Sequence, residues 1–117
     1  MELNINTSTT LNEIKERFNK IFPYLKLEFF THEHNKGEGS PRGEMIMSDK
    51  KINEVGGKKG TINVTDKLTV AKLESDFKTN TNLNVQVFRK SGVVWLETTN
   101  SDNWTLQEQN NHAKERE

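Results

Sequence analysis

The chain has 117 residues, no cysteine, 17 basic and 17 acidic side chains, and 31% hydrophobic residues. A chain of this size buries enough surface to fold as one domain without cross-links, and the missing thiols exclude disulfides, cysteine nucleophiles and cysteine-ligated zinc or iron–sulfur centres. The charge is balanced within each half as well, 10 basic against 9 acidic residues through Lys59 and 7 against 8 beyond it, so no whole-molecule field draws in phosphate backbones or anionic lipid.

The opening MELNINTSTT carries neither a basic nor an apolar leader segment, and no apolar run approaches the roughly 20 residues of a membrane span. A cytoplasmic protein is expected. Leu3 and Ile5 alternate with polar neighbours as in a half-buried strand. Thr10 followed by Glu13 has the form of a capping box, and Leu11, Ile14 and Phe18 follow at helical spacing up to Pro23. Leu25, Leu27 and Phe29 then mark the inner face of a second strand, with Tyr24, Lys26, Glu28 and Phe30 on its outer face. HEHNKGEGSPRG, from His32 to Gly43, is dense in glycine, proline and charge and reads as a flexible loop. Met45 to Met47 suits a short strand, and Ile52 and Val55 a weak helical turn before the break at GGKKG.

The second half repeats the first. At an offset of 59 residues, Leu3 and Ile5 fall on Ile62 and Val64, Thr10 on Thr69, Ile14 on Leu73 and Phe18 on Phe77. After one deletion, Leu25, Leu27, Phe29 and Phe30 fall on Leu83, Val85, Val87 and Phe88. The expected fold is therefore α+β: two diverged βαβ repeats, about 1–58 and 60–100, forming a ferredoxin-like two-layer sandwich within one domain. A hairpin strand and a frayed C-terminal helix, about 103–117, are added to it. A β-grasp, ubiquitin-like arrangement is the alternative.

In the last segment, Arg89 to Gly92 suits a three-residue hairpin loop closed by glycine. The return strand then places Phe88, Val94 and Leu96 outward, joined by Phe30, with Arg89 and Lys90 at a basic tip. An outward apolar set on a sheet is a common mark of a contact surface, unless the C-terminal helix folds back over it. Asp102 or Thr105 caps that helix, with Glu108 completing a box. Of its later residues only Leu106 and Ala113 look able to dock.

The run VQVFRKSGVVWLETTNSDNWTLQEQN resembles the C-terminal signature of a family of small uncharacterised bacterial α+β proteins, in which a Thr-Val-x-x-Leu helix precedes a Gly-Leu-x-Val strand. Here the helix motif is Thr69-Val70-Ala71-Lys72-Leu73, and Asn82 stands where the family has glycine. The resemblance implies no activity, so it assigns no catalytic residue and no cofactor.

His32, His34 and Glu38 have the spacing of a partial metal site, but a flexible loop does not preorganise it, and no metal is assigned. The glycine clusters lack the residues of phosphate-binding loops. These readings converge on a noncatalytic module for protein interaction or self-association, with Phe30, Phe88, Arg89, Lys90, Val94 and Leu96 as its contact residues. Single-stranded nucleic-acid binding through a sheet face and the basic tip is the alternative.

Overall fold

The computed structural model describes residues 1–31 and 45–116. The elements run β1 (Glu2–Ile5), α1 (Leu11–Ile21), β2 (Leu25–Phe30), a 3-10 turn (Ile52–Val55), β3 (Gly60–Asn63), α2 (Val70–Thr81), β4 (Asn84–Ser91), β5 (Val94–Glu97), a second 3-10 turn (Thr99–Ser101) and α3 (Leu106–Glu115). The class is α+β, as the periodicities predict. Among the described residues no helix is long and apolar enough to cross a membrane.

Local chemistry sets the helix boundaries. Thr10 Oγ1 accepts from the Glu13 amide at 3.2 Å while the Glu13 carboxylate accepts from the Thr10 amide at 3.4 Å, so two otherwise orphaned donors are satisfied at the start of α1. The helix ends one residue before its Phe22 cap, where Pro23 follows and cannot continue it. Thr69 caps α2 through the Lys72 amide at 3.2 Å. Asn82 ends α2 in the left-handed region at φ 57°, which asparagine tolerates better than most side chains.

The strands form two separate antiparallel ladders, β1 with β3, and β2–β4–β5 in that order. Both expected architectures, ferredoxin-like and β-grasp, hold their strands in one sheet, and the pairing departs from both. Within each βαβ unit the two strands do not pair with each other. Each pairs instead with its counterpart in the other unit: Leu3 faces Ile62, and Glu28 faces Gln86. Hydrophobic alternation fixes which face of a strand is buried. It does not choose the neighbouring strand, which depends on groups distant along the chain.

The correspondence between halves extends to the connections. Leu11 N donates to Lys50 O and Val70 N to Trp104 O; Asn12 N to Ser48 O and Ala71 N to Asp102 O; Ile52 N to Thr9 O and Leu106 N to Leu68 O. Ile46 N donates to Phe29 O just as Thr98 N donates to Val87 O. The 3-10 turn at Ile52 therefore stands where α3 begins, and both Ile52 and Leu106 are fully buried.

Both halves supply one core. Leu11, Ile14 and Phe18 of α1 and Val70, Leu73 and Phe77 of α2 meet Leu25, Leu27, Phe29, Val85 and Val87 of the larger sheet and Leu3, Ile5 and Ile62 of the smaller ladder. Phe29 and Phe77 pack edge to face with centroids 6.2 Å apart, a favoured aromatic geometry. This core holds the inner faces of β2 and β4 and so fixes the platform from which β5 projects.

Candidate functional site

The β4–β5 hairpin turns on two residues. Ser91 pairs with Val94, leaving Gly92 and Val93 as the loop, and Gly92 has φ 61° whereas Val93 is not at positive φ. Positive φ at the first central residue alone is the type II′ pattern, which matches the twist of the flanking strands. The loop is one residue shorter than the expected three, and this decides the site. The register becomes Phe88 opposite Glu97, Arg89 opposite Leu96 and Lys90 opposite Trp95. Because cross-strand partners share a face, Phe88 lies with Lys90, Trp95 and Glu97, whereas Val94 and Leu96 lie with Arg89. A register shifted by an odd number of residues exchanges the faces. The expected common patch of Phe30, Phe88, Val94 and Leu96 is therefore divided.

Burial separates them further. Phe30 and Phe88 are 2% and 9% exposed, while Val93, Val94 and Leu96 are 100%, 52% and 45% exposed. Three of the five exposed large apolar residues among those described gather along β5 and its turn, the other two being Met1 and Met47. Among the described residues nothing pairs with the outer side of this strand, which ends the three-stranded order. Val94 and Leu96 face Ser91 and Arg89 within the hairpin, so the alternation of the ladder leaves the amides and carbonyls of Trp95 and Glu97 pointing away from it.

The Phe88 face interleaves cations with rings. The Lys26 ammonium lies 5.0 Å from the Trp95 ring centroid and 5.7 Å from that of Phe88, and Lys90 lies 5.9 Å from Tyr24, within cation–π range. Lys26 also pairs with Glu28 at 3.4 Å, and Glu28 receives Lys15 from α1. Gln86, fully buried opposite Glu28, donates its Nε2 to Val87 O at 3.2 Å, while its Oε1 meets no donor.

Arg89 is not a free basic tip. Its Nη1 donates to Gln109 Oε1 at 2.8 Å, and its guanidinium stacks 5.8 Å from the Trp104 ring. Partial burial lowers its pKa from the ordinary value, and nearby Arg116 lowers it further, yet arginine remains charged at neutral pH. Gln109 in turn donates Nε2 to the carbonyl and hydroxyl oxygens of Ser101, both at 2.7 Å. Asn110 Oδ1 accepts from the Tyr24 amide at 2.9 Å.

These two amides dock α3, and reading the helix for apolar residues alone misses them. Their spacing would have exposed them: Leu106, Gln109, Asn110 and Ala113 lie on one helical stripe, and all four are buried. The helix is capped by Thr105 with Glu108, one of the two expected arrangements. It packs beside Arg89 and leaves Val94 and Leu96 uncovered. Asp102, the other expected cap, ends the preceding 3-10 turn instead.

His32, His34 and Glu38 lie outside the described residues, and among the described ones no group of acidic or imidazole side chains is arranged to hold a metal. The chain matches no family model, no curated protein and no solved structure.

Proposed function

We propose that the chain is a noncatalytic protein-contact module of a bacterial cytoplasm that works through the outer strand of its terminal hairpin, binding a protein or a second copy of itself. The observation that carries this reading is the coincidence of exposed Val93, Val94 and Leu96 with a strand edge that no described residue pairs. Backbone groups on that edge supply affinity and the apolar side chains supply specificity. Of the six contact residues expected from sequence, Val94 and Leu96 belong to this surface and Arg89 and Lys90 are their neighbours across the hairpin, whereas Phe30 and Phe88 are buried and take no part in it.

A pull-down with wild-type chain and Leu96→Asp in parallel, joined to sedimentation of both, tests the reading. Material held by the wild type and released by the variant is expected, whether a second protein or a second copy. Equal retention by both, with both sedimenting as monomers, removes the proposal.

A second reading, single-stranded nucleic acid, is favoured by the Tyr24, Lys26, Lys90 and Trp95 set, since stacking rings interleaved with ammonium groups suit bases and phosphates together. It predicts oligonucleotide retention that falls with salt and with neutralisation of Lys26 and Lys90. The matched hydrogen bonds of the two halves support descent from one duplicated unit, and membership of the resembling bacterial family belongs to the same proposal.

A further inference from the structure

We infer that the cavity between the end of β2, the start of β4 and the first 3-10 turn binds a small planar cation, a guanidinium or amidinium carried on a short apolar body. The cavity lies at the end of the sheet away from the β4–β5 turn, and the site does not depend on the contact reading above.

The two halves of the chain treat this place differently. Phe29 and Phe30 correspond to Val87 and Phe88, so Thr31 corresponds to Arg89. Glu54 accepts from the Lys51 amide as Glu108 accepts from the Thr105 amide, at 2.8 and 2.9 Å, so Val55 corresponds to Gln109 and Gly56 to Asn110. A tertiary bond supports the match: Asn82 Nδ2 donates to Gly56 O as the Tyr24 amide donates to Asn110 Oδ1, both at 2.9 Å. In the second half the long side chains of Arg89 and Gln109 meet across the place, Nη1 to Oε1 at 2.8 Å. In the first half the shorter Thr31 and Val55 stand there, and left-handed Gly56, at φ 83°, ends the turn at Val55. Both residues line a cavity of about 280 Å³.

The lining selects the ligand. Ile46, Val55 and Leu83 supply apolar walls, and of the described lining residues Glu54 alone is charged. Asn84, also in the lining, turns Nδ2 to Thr31 O at 3.5 Å and keeps Oδ1 buried with no donor among the described residues. A carboxylate and a spare amide oxygen suit a planar group rich in N–H donors and disfavour an anion. The corresponding place in the second half is occupied by such a group, the Arg89 guanidinium. Ligand sites commonly enclose roughly 300–1,000 Å³, so a cavity at the small end of that range takes a single ring with its cationic head.

Benzamidine tests the site on the full chain, with benzamide as its neutral isostere and benzoate as an anion, each titrated by NMR. Saturable shifts of Val55, Leu83 and the Asn84 side-chain amide are expected with benzamidine, at an affinity roughly tenfold above that of benzoate. Thr31→Arg combined with Val55→Gln rebuilds the Arg89–Gln109 bridge in the first half and should abolish those shifts. Glu54→Gln, which keeps an acceptor for the Lys51 amide, should weaken benzamidine roughly threefold and leave benzamide unchanged. No saturable shift with benzamidine, or shifts that survive in the folded double variant, overturns the site. Equal binding of benzamidine and benzoate overturns the cationic ligand. Unchanged benzamidine affinity in Glu54→Gln does the same, whether or not the double variant folds.

Discussion

Asn82 shows how much a single backbone angle decides. Its φ of 57° lets the chain leave α2 and enter β4, and its Nδ2 ties the turn to Gly56 O at 2.9 Å. An alanine there meets the steric cost of the left-handed region and loses that bond, so Asn82→Ala is expected to lower unfolding stability by about 1–2 kcal/mol. Asn82→Gly should lose less, and urea denaturation of the two variants separates the angle from the side chain. Glu108 makes a finer test at the start of α3. The hydrogen bond from the Thr105 amide, then that from its hydroxyl, lowers its pKa from the ordinary 4.5. The contribution of this carboxylate is therefore fully present above the unfolded value and lost as pH falls through the lower folded one. In an NMR titration the Thr105 amide should shift with a midpoint below 4.5, and Glu108→Gln, which keeps an acceptor, should abolish that midpoint.

At the scale of elements, α3 departs most from a plain amphipathic pattern. Buried amides do much of the holding: Gln109 alone joins Arg89 of β4 to Ser101 of the preceding turn. Truncating it removes the acceptor of the Arg89 guanidinium and the two bonds to Ser101, and such losses cost about 1–3 kcal/mol. Gln109→Ala should loosen α3 from the sheet, seen as faster amide exchange from Leu106 to Ala113 and a changed near-ultraviolet signal from Trp104. The hairpin is the counterpart case. A glycine turn was legible there, but the loop read as three residues has two, and that difference sent Phe88 to one face and Leu96 to the other.

Across the whole molecule the two halves face each other through equivalent positions, and the most sensitive point is where Glu28 meets Gln86. One half carries a carboxylate there and the other a neutral amide, so the buried crossing holds a single charge, satisfied by Lys15 and Lys26. Gln86→Glu would oppose two carboxylates on adjacent strands. Repulsion and burial raise the carboxyl pKa values, so the variant should lose about 2 kcal/mol at neutral pH and regain part of it on acidification. Urea midpoints at neutral and mildly acidic pH check both parts.

The sequence by itself determined the α+β class, the capped start of α1, the inner faces of β2 and β4 and the matched positions of the two halves, and it narrowed the cap of α3 to Asp102 or Thr105. These follow from local chemistry and from periodicity, which act within a few residues. The tertiary structure alone decided that the strands form two ladders rather than one sheet, that Phe30 and Phe88 are buried, that Arg89 is held by α3 and that Val93, Val94 and Leu96 lie along a strand whose outer side no described residue pairs. Strand partnership, register and the docking of polar stripes depend on groups distant along the chain, and periodicity carries no record of which distant group arrives.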